Sequence, residues 1–283
     1  MEHRRSRRTL LAVFSHPDDE SFGTGGLFAL RSSMGDRVVL VTATLGEAGE
    51  ISDPALADRD NLSQVREAEL RAAADALGVS ELVILGYRDS GMEGTEDNRH
   101  PNAFASAPEE EVLSRLVGIM RRLKPDIVIT FDEVGGYGHP DHIAASRFTT
   151  AAFRASGDPS RYRCEGEPWK PGRLYYSVFP KQVFRRLRSI MEAHGVETAD
   201  LDRFEELDIG SPDDQIHAEI DVSCVVEAKW TALNCHRAQF GADHFFNQIP
   251  ERDAKALLSS EWFVQIEPEP PPGVRYSDLF DGL

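Results

Sequence analysis

Apolar runs rich in β-branched residues alternate, through the first half of the chain, with segments whose apolar residues recur at helical spacing. The apolar runs predict four buried strands, over residues 9–15, 37–44, 81–85 and 126–130. The segments between and after them predict helices over residues 24–33, 62–77, 112–123 and 141–155. Four strand–helix units in succession imply a parallel sheet that helices cover on both faces, with right-handed crossovers.

The second half of the chain has a less regular pattern. It predicts two strands, over residues 174–178 and 216–222, and two helices, over residues 181–194 and 225–239. Residues 197–214 hold eight acids against one arginine, which predicts a solvated loop. The proline-rich residues 267–272 predict an extended surface segment.

No internal repeat and no low-complexity linker divides the sequence. We therefore expect a single domain over residues 1–283, with a core α/β part over 1–155 and a C-terminal α+β elaboration over 156–283. The expected fold class is α/β, with a Rossmann-like, mostly parallel sheet and helices on both of its faces.

The charge composition disfavours some classes of binding partner. The 283 residues include 31 lysines and arginines against 48 acids, a net charge of −17 with neutral histidines. This charge argues against nucleic acid and against anionic membrane surfaces, since both attract a basic face. No segment approaches the roughly 20 apolar residues of a membrane span. Three cysteines without Cys-x-x-Cys spacing favour neither a disulfide framework nor a thiolate zinc site, so we expect a cytoplasmic location.

Two of the loops that follow predicted strands carry metal-ligating residue types. His16, Asp18 and Asp19 follow the first strand, and His139 and His142 follow the fourth. Ligands bind at the carboxyl ends of strands in open α/β sheets. A lone histidine is most often an ordinary core or surface residue. Two such clusters, about 120 residues apart and both at strand ends, favour a shared metal site instead.

Three protein ligands and an open position are typical of catalytic zinc. Such a cation lowers the pKa of bound water to about 7, and the reaction then needs a base near the water and a donor for the oxyanion. One aspartate and one histidine of the two clusters are left for these roles. Spacing alone leaves open which of Asp18 and Asp19 is the ligand and which is the base.

Five segments carry a resemblance to a known family: residues 15–20 (SHPDDE), 45–50 (LGEAGE), 66–70 (REAEL), 88–92 (RDSGM) and 135–142 (GGYGHPDH). With these segments the sequence resembles the LmbE/PIG-L family of zinc-dependent N-acetylglucosaminyl deacetylases. Within that family it is most similar to the bacterial enzymes of low-molecular-weight thiol metabolism. The match runs through about the first 155 residues and continues weakly beyond them.

The resemblance implies a ligand set and a metal. It places the metal ligands at His16, Asp19 and His142. Zinc is the metal that the family implies. Iron(II) is an alternative, because two nitrogens and a carboxylate also resemble the facial triad of iron sites.

The resemblance also implies the catalytic residues. It places at Asp18 the general base that deprotonates the metal-bound water, and at His139 a charged residue that stabilises the oxyanion and helps to protonate the leaving amine. Tyr137 matches a tyrosine that also reaches the oxyanion. Asp141 matches an acid that orients the neighbouring histidines.

For the substrate, the resemblance implies a sugar pocket lined by Glu50, Arg66 and Asp89. Without it, Arg66 would be interpreted as a residue on the surface of a helix, and Asp89 as a turn former. Val134 departs from the family, whose members usually have a polar asparagine there. Among the other histidines, only His236 lies in a segment similar to the family.

The implied function is a metal-dependent hydrolase that deacetylates a small molecule containing N-acetylglucosamine. The alternative is an amidase that acts on thiol conjugates or other amides with the same machinery. Relatives specialised for such conjugates have a lysine three residues after the motif glutamate, where this chain has Gly23, and this favours the deacetylase. A non-catalytic sugar-binding relative is disfavoured by the complete set of site residues. A small-molecule substrate is the expected partner, and a homo-oligomer is compatible with the sequence.

Overall fold

The computed structural model describes residues 7–241 and 244–283, whose strands form one seven-stranded sheet. The strands are β1 (Thr9–Phe14), β2 (Arg37–Thr42), β3 (Glu81–Ile84), β4 (Ile127–Phe131), β5 (Arg173–Val178), β6 (Ala218–Asp221) and β7 (Ser260–Glu267). Their order across the sheet is β3-β2-β1-β4-β5-β7-β6. Strands β1 to β5 are mutually parallel, whereas β7 is antiparallel to both β5 and β6. The mostly parallel sheet that the sequence predicts is therefore confirmed.

Helices connect the strands within the described residues. The α-helices are α1 (Asp19–Gly23), α2 (Gly25–Ser33), α3 (Leu62–Ala76), α4 (Glu109–Leu123), α5 (Gly135–Gly138), α6 (Pro140–Ser156), α7 (Lys181–Ala193), α8 (Ala199–Glu206), α9 (Val226–Cys235), α10 (Phe245–Gln248) and α11 (Glu251–Leu258). Short 3-10 helices cover Glu96–Arg99, Phe104–Ser106, Asp213–Gln215 and Ser223–Val225. No helix in these parts of the chain is long and apolar enough to cross a bilayer.

Side chains of the parallel strands alternate between two apolar cores, one on each face of the sheet. Leu11 and Val39 pack with α4 and α6 on one face. Leu10 and Leu40 pack with α2, α3 and α9 on the other. Because helices cover both faces, these strands are apolar at successive positions, which is the pattern from which the sequence predicts them.

Strand β7 was not predicted from the hydrophobic pattern. It lies between β5 and β6, and its buried Phe263 is flanked on the same face by the buried polar residues Glu261 and Gln265. Each polar side chain has a partner, since Lys229 Nζ lies 2.6 Å from Glu261 and the Tyr175 hydroxyl donates to Gln265 at 3.0 Å. These polar residues interrupt the apolar run by which a buried strand is predicted from sequence. Their partners are close only in the tertiary structure, so the sequence pattern does not indicate that they are buried.

The solvated loop predicted for the acidic residues 197–214 was wrong. Helix α8 occupies the middle of this segment, and its buried Leu201 packs in an apolar cluster with α7 and α11. On the outer side Arg188 of α7 pairs with Asp202 at 2.6 Å. A cation on the neighbouring helix therefore compensates acids that would repel each other in an isolated helix.

The strand order places the site. Strands β2 and β3 follow β1 toward one edge of the sheet, and β4 then lies on the other side of β1. The carboxyl ends of β1 and β4 thus flank the point where the strand order reverses, which is where open α/β sheets bind ligands. The loops with the candidate ligands follow these two strands.

Candidate active site

Three ligand atoms from the two loops meet in a buried cluster. His16 Nδ1 lies 3.1 Å from His142 Nε2. The Asp19 carboxylate places one oxygen 3.3 Å from His142 Nε2 and the other 3.6 Å from His16 Nδ1. Ligands at 2.0–2.1 Å around a tetrahedral zinc are separated from one another by about 3.3 Å. Each Asp19 oxygen thus approaches a different ring, and the rings of His16, His139 and His142 place a nitrogen each within 4.8 Å of one another. The ligand set His16, Asp19 and His142 stays a prediction.

Hydrogen-bond partners determine which nitrogen of each ring carries the proton. His16 Nε2 lies 3.1 Å from the Asp141 carboxylate, and His142 Nδ1 lies 3.2 Å from the carbonyl oxygen of Gly135. Each of these nitrogens must be the donor, because its partner only accepts. When both rings are neutral, the lone pairs on His16 Nδ1 and His142 Nε2 consequently face each other, and either a proton or a metal cation between them satisfies both. This pairing of a ligand histidine with an outer acceptor is typical of metal sites.

The carboxylate of Asp19 is held in place by backbone donors. Its Oδ2 accepts the N–H groups of His16 at 2.7 Å and Ser15 at 3.2 Å. Burial alone would raise the pKa of Asp19, but His142 and His16 outweigh this effect and lower the pKa well below its usual range. Asp19 is therefore an anion that faces the two imidazole lone pairs.

Asp141 and Asp89 support His16 from behind. The fully buried Asp141 accepts the backbone N–H groups of Ser90 at 2.9 Å and Ala105 at 3.0 Å, so its carboxylate is fixed against His16. Asp89 lies 3.5 Å from the same His16 nitrogen. Burial would lower the pKa of His16, but Asp141, Asp89 and Asp19 raise it well above 6.5. The cluster thus attracts positive charge.

Asp18 lies beside the cluster in a strained backbone conformation. Its φ of 103° is rare for a residue with a side chain and is stabilised by a 3.0 Å hydrogen bond from its N–H to Glu20. Arg66 lies 3.3 Å from its carboxylate. Burial raises the pKa of Asp18 to about 6, with Arg66 opposing and Asp19 adding to the rise. A carboxylate with a pKa near the working pH suits a general base.

His139 lies close to both ligand histidines but has no lone pair to offer to a metal. All three rings place a nitrogen within 4.8 Å of one another. His139 caps α6, however, and its Nδ1 accepts the N–H of Asp141 at 3.1 Å. The neutral ring therefore carries its proton on Nε2. Burial, with His16 and His142, lowers the pKa of His139 to about 4.

Tyr137 stands at the mouth of the site. Its ring is 47% exposed and lies edge-on to His142, with 5.0 Å between the ring centroids. The preceding Gly135 has a φ of 67°, and a Cβ atom there would lie 2.7 Å from His142 Cβ. Glycine at this position thus allows the loop to lie against α6 and brings Tyr137 to the metal ligands.

The three residues predicted to line a sugar pocket have different surroundings. Arg66 is buried and donates to the carbonyl oxygens of Gly46 at 2.9 Å and Pro17 at 2.8 Å, so it ties the loops after β1 and β2 together. Asp89 lies within the site, next to His16. Glu50 is exposed and makes no hydrogen bond or ion pair within the described part of the chain. Their contact with a sugar stays a prediction.

Sequence reasoning missed a buried pair behind the general-base candidate. Glu20 and His236 lie 2.7 Å apart, and both side chains are 1% exposed. The second carboxylate oxygen of Glu20 accepts the N–H of Asp18 described above. Glu20 belongs to the motif after β1 and His236 to a segment similar to the family, but only the fold brings them together.

Comparisons with known proteins show the family to which the chain belongs. The family model described as GlcNAc-PI de-N-acetylase, PIG-L, matches residues 11–153. The 1D-myo-inositol 2-acetamido-2-deoxy-alpha-D-glucopyranoside deacetylase of Thermomonospora curvata is 37% identical over 98% of this chain and 97% of its own length. The protein of the same name from Geodermatophilus obscurus is 36% identical over 98% of each.

Two solved structures share the fold at low sequence identity. The N,N'-diacetylchitobiose deacetylase of Pyrococcus horikoshii superposes with a TM-score of 0.65 at 21% identity, covering 92% of this chain and 84% of its own. The 4-carboxy-2-hydroxymuconate hydratase of Pseudomonas putida superposes with a TM-score of 0.64 at 18% identity, covering 94% and 99%. One fold thus carries different reactions, so the function must be argued from the site.

Proposed function

Because the chain belongs to the GlcNAc-PI de-N-acetylase (PIG-L) family, we propose that it is a metal-dependent hydrolase that removes the acetyl group from an N-acetylglucosaminyl group on a small molecule. The names of its curated relatives support an inositol glycoside as the first substrate to test. The observation that carries the proposal is the pair of buried imidazole nitrogens 3.1 Å apart, with one Asp19 carboxylate oxygen near each.

Zinc is the proposed metal, and His16, Asp19 and His142 would hold it. When bound, such a cation lowers the pKa of water to about 7 and polarises the amide carbonyl. The chain itself keeps the three ligand atoms in position, since Asp141 and the Gly135 carbonyl each hold one ring by its other nitrogen. Iron(II) suits the same ligands and is the alternative.

Asp18 is the proposed general base. With a pKa of about 6 its carboxylate is ionised at neutral pH and accepts a proton from the attacking water. The water oxygen bonds to the acyl carbon, and the amide C–N bond then breaks. Asp18 returns its proton to the departing nitrogen, which leaves acetate and a free amine on the sugar.

His139 is the proposed hydrogen-bond donor to the oxyanion. Because Nδ1 accepts a backbone N–H, the proton on Nε2 is available to the developing negative charge. This neutral donor differs from the charged residue that the resemblance implies. Tyr137 is the second proposed donor, and burial with Asp19 and Asp18 raises its pKa, so its hydroxyl stays protonated.

Asp89, Arg66 and Glu50 remain the proposed contacts to the sugar. Asp89 lies 3.9 Å from Nε2 of His139, the proposed oxyanion donor, and 3.5 Å from His16 Nε2, the nitrogen that faces away from Asp19 and His142. Arg66 positions Asp18 and the loop beside it. These contacts support a sugar bound on the side of the site formed by the loops after β1, β2 and β3.

Acetate release from a panel of N-acetylglucosaminides, with zinc- or iron(II)-reconstituted protein, tests the proposal. We expect turnover of at least one glucosaminide, and a loss of about 100-fold or more in Asp18→Ala. Asp60→Ala, at an exposed position, is the control and should keep wild-type turnover. Hydrolysis of a thiol-conjugate amide without any turnover of a glucosaminide would favour the amidase alternative.

A further inference from the structure

An apolar cavity of about 330 Å³ opens beside the candidate metal ligands. Its wall is mainly apolar and includes eight phenylalanines from both halves of the chain, among them Phe22, Phe131, Phe179, Phe184, Phe204 and Phe245. Its volume lies within the range of cavities that bind small molecules, which begins at about 300 Å³. The proposed mechanism does not use this space.

One end of the cavity meets the candidate metal site. Asp19, His142 and Tyr137 line it, so one end of the cavity is the metal site itself. None of the proposed base and sugar contacts is among its lining residues, although all lie in the described part of the chain. The cavity and the proposed sugar side therefore flank the ligand set from different directions.

An amide substrate has one substituent on its nitrogen and one on its carbonyl carbon. With the sugar nitrogen toward Asp18, which returns its proton to it and does not line the cavity, the substituent on the carbonyl carbon points toward the cavity. A polyol would lose hydrogen bonds against this aromatic wall, whereas an alkyl chain would gain from leaving water. An acetyl group offers a single methyl and leaves most of the 330 Å³ unfilled.

We propose that this cavity binds the alkyl chain of an N-acyl group, so that the protein cleaves N-acylglucosaminides with chains longer than acetyl in preference to acetyl itself. The inference rests on the proposed function and specifies its substrate class. The chemistry is the same hydrolysis, in which water supplies the new C–O bond, the amide C–N bond breaks, and a fatty carboxylate and an amine leave.

The acidic segment that the sequence left without a role is part of this wall. Phe204 of α8 and Ile209 line the cavity together with Val183 of α7. Asp202, Glu205 and Asp208 of this segment are exposed, whereas Phe204 and Ile209 face the cavity. The C-terminal part of the chain would then select the acyl chain, while the loops after β1 and β4 perform the reaction.

A chain-length series measures the preference directly. Amine release is followed from N-acetyl-, N-butanoyl-, N-hexanoyl- and N-octanoylglucosamine, and in a second arm from octyl N-acetylglucosaminide. We expect kcat/KM to rise about threefold to fourfold per added methylene of the acyl chain. A gain from the octyl glycoside alone, or equal or falling values along the acyl series, would overturn the inference. No turnover of any member would instead contradict the proposed function.

Two variants on helix α7 test whether the alkyl chain of the substrate binds in this cavity. Val183→Trp places a large ring in the cavity, which leaves no room for several methylenes of the octanoyl chain. It should therefore lower the ratio of octanoyl to acetyl kcat/KM by about tenfold or more. Arg186→Ala, at an exposed position of the same helix, should leave the ratio unchanged. If Val183→Trp does not fold, inhibition of the wild type by acetate, hexanoate and octanoate replaces it, with tightening along the series expected. A wild-type ratio in folded Val183→Trp, or equal inhibition by the three carboxylates, would contradict the inference.

Discussion

Two imidazole lone pairs that face each other across 3.1 Å need a positive charge between them. The arrangement is set by outer partners, Asp141 for His16 and the Gly135 carbonyl for His142. Conversely, a backbone N–H occupies Nδ1 of His139, which supports its proposed role as a hydrogen-bond donor and not as a ligand. At the scale of single residues, the hydrogen-bond partner of one ring nitrogen thus determines what the other nitrogen can do. It offers a lone pair to a metal when its partner nitrogen is the donor, and it donates a hydrogen bond when its partner nitrogen is the acceptor.

The pH dependence of kcat/KM should reflect Asp18 and not His139. At saturating metal, activity should rise with pH through about 6, because the base must lose its proton to act. No fall from His139 is expected between pH 7 and 9, because with a pKa of about 4 this ring is already neutral there. Kinetics across this range provide the measurement. A basic limb that disappears in His139→Asn would show that a protonated His139 is required.

The buried pair of Glu20 and His236 should matter for both stability and rate. His236→Ala leaves the Glu20 carboxylate buried without its partner, which should lower the free energy of unfolding by about 3 kcal/mol. It should also lower kcat more than it raises KM, because Glu20 holds the strained backbone of Asp18. Urea unfolding and steady-state kinetics provide the readouts.

The matched control is His194, which pairs with Asp253 at 3.2 Å near the surface. His194→Ala should cost less than about 1 kcal/mol, because water screens an exposed pair. If folded, metal-loaded His236→Ala kept wild-type kcat, the pair would have no part in positioning Asp18.

At the scale of elements, one buried carboxylate joins three of them. Glu261 on β7 accepts the N–H groups of Gly26 at 2.7 Å and Leu27 at 2.8 Å at the start of α2. Lys229 of α9 donates to the same carboxylate at 2.6 Å. The hydrogen bonds compensate the burial of the charge and connect the antiparallel end of the sheet to α2, the second helix after the loop with His16 and Asp18.

Removal of Lys229 should destabilise the fold strongly. Lys229→Met leaves the Glu261 carboxylate buried without its cation, and we expect a loss of about 3 kcal/mol or more in the free energy of unfolding. Lys255→Met is the comparison, because the partners of Lys255 are exposed and the loss should stay below about 1 kcal/mol. Denaturant unfolding of both variants checks the difference, and equal losses would contradict it.

At the scale of the whole molecule, the two parts of the chain share one sheet and one site. The loops after strands β1 and β4 hold the candidate ligands, and the segments after β5 supply half of the residues that line the apolar cavity. We infer a single domain, since β5, β6 and β7 extend the same sheet. The net charge of −17 does not conflict with metal binding, because the acids at the site attract a cation. Cytoplasmic location and oligomeric state stay predictions.

Metal binding should stabilise the whole fold. A cation at 100 times its Kd adds about 2.7 kcal/mol to the free energy of unfolding, provided that it binds only the folded chain. Added zinc should therefore raise Tm by about 5 °C or more, and a chelator should reverse the rise. His142→Ala should lose the effect, whereas His100→Ala, distant in the sequence from both ligand loops, should keep it. A zinc-independent Tm would argue against the site.

The alternation of strands and helices was predictable because each buried strand has a local apolar signature. Strand β7 and helix α8 were not, since Glu261 and Gln265 find partners only in the fold and α8 relies on Arg188 of α7. The family was predictable from the two main motifs and is confirmed by the matching family model and the curated relatives.

The sequence by itself determined the residue types of the site, their order and the strand ends that carry them, because these follow from local periodicity and short motifs. Only the tertiary structure decided which nitrogen of each histidine faces the centre, that Arg66 binds backbone carbonyls, and that Glu20 meets His236. These features depend on distances between residues far apart in the chain, and no local pattern encodes such distances.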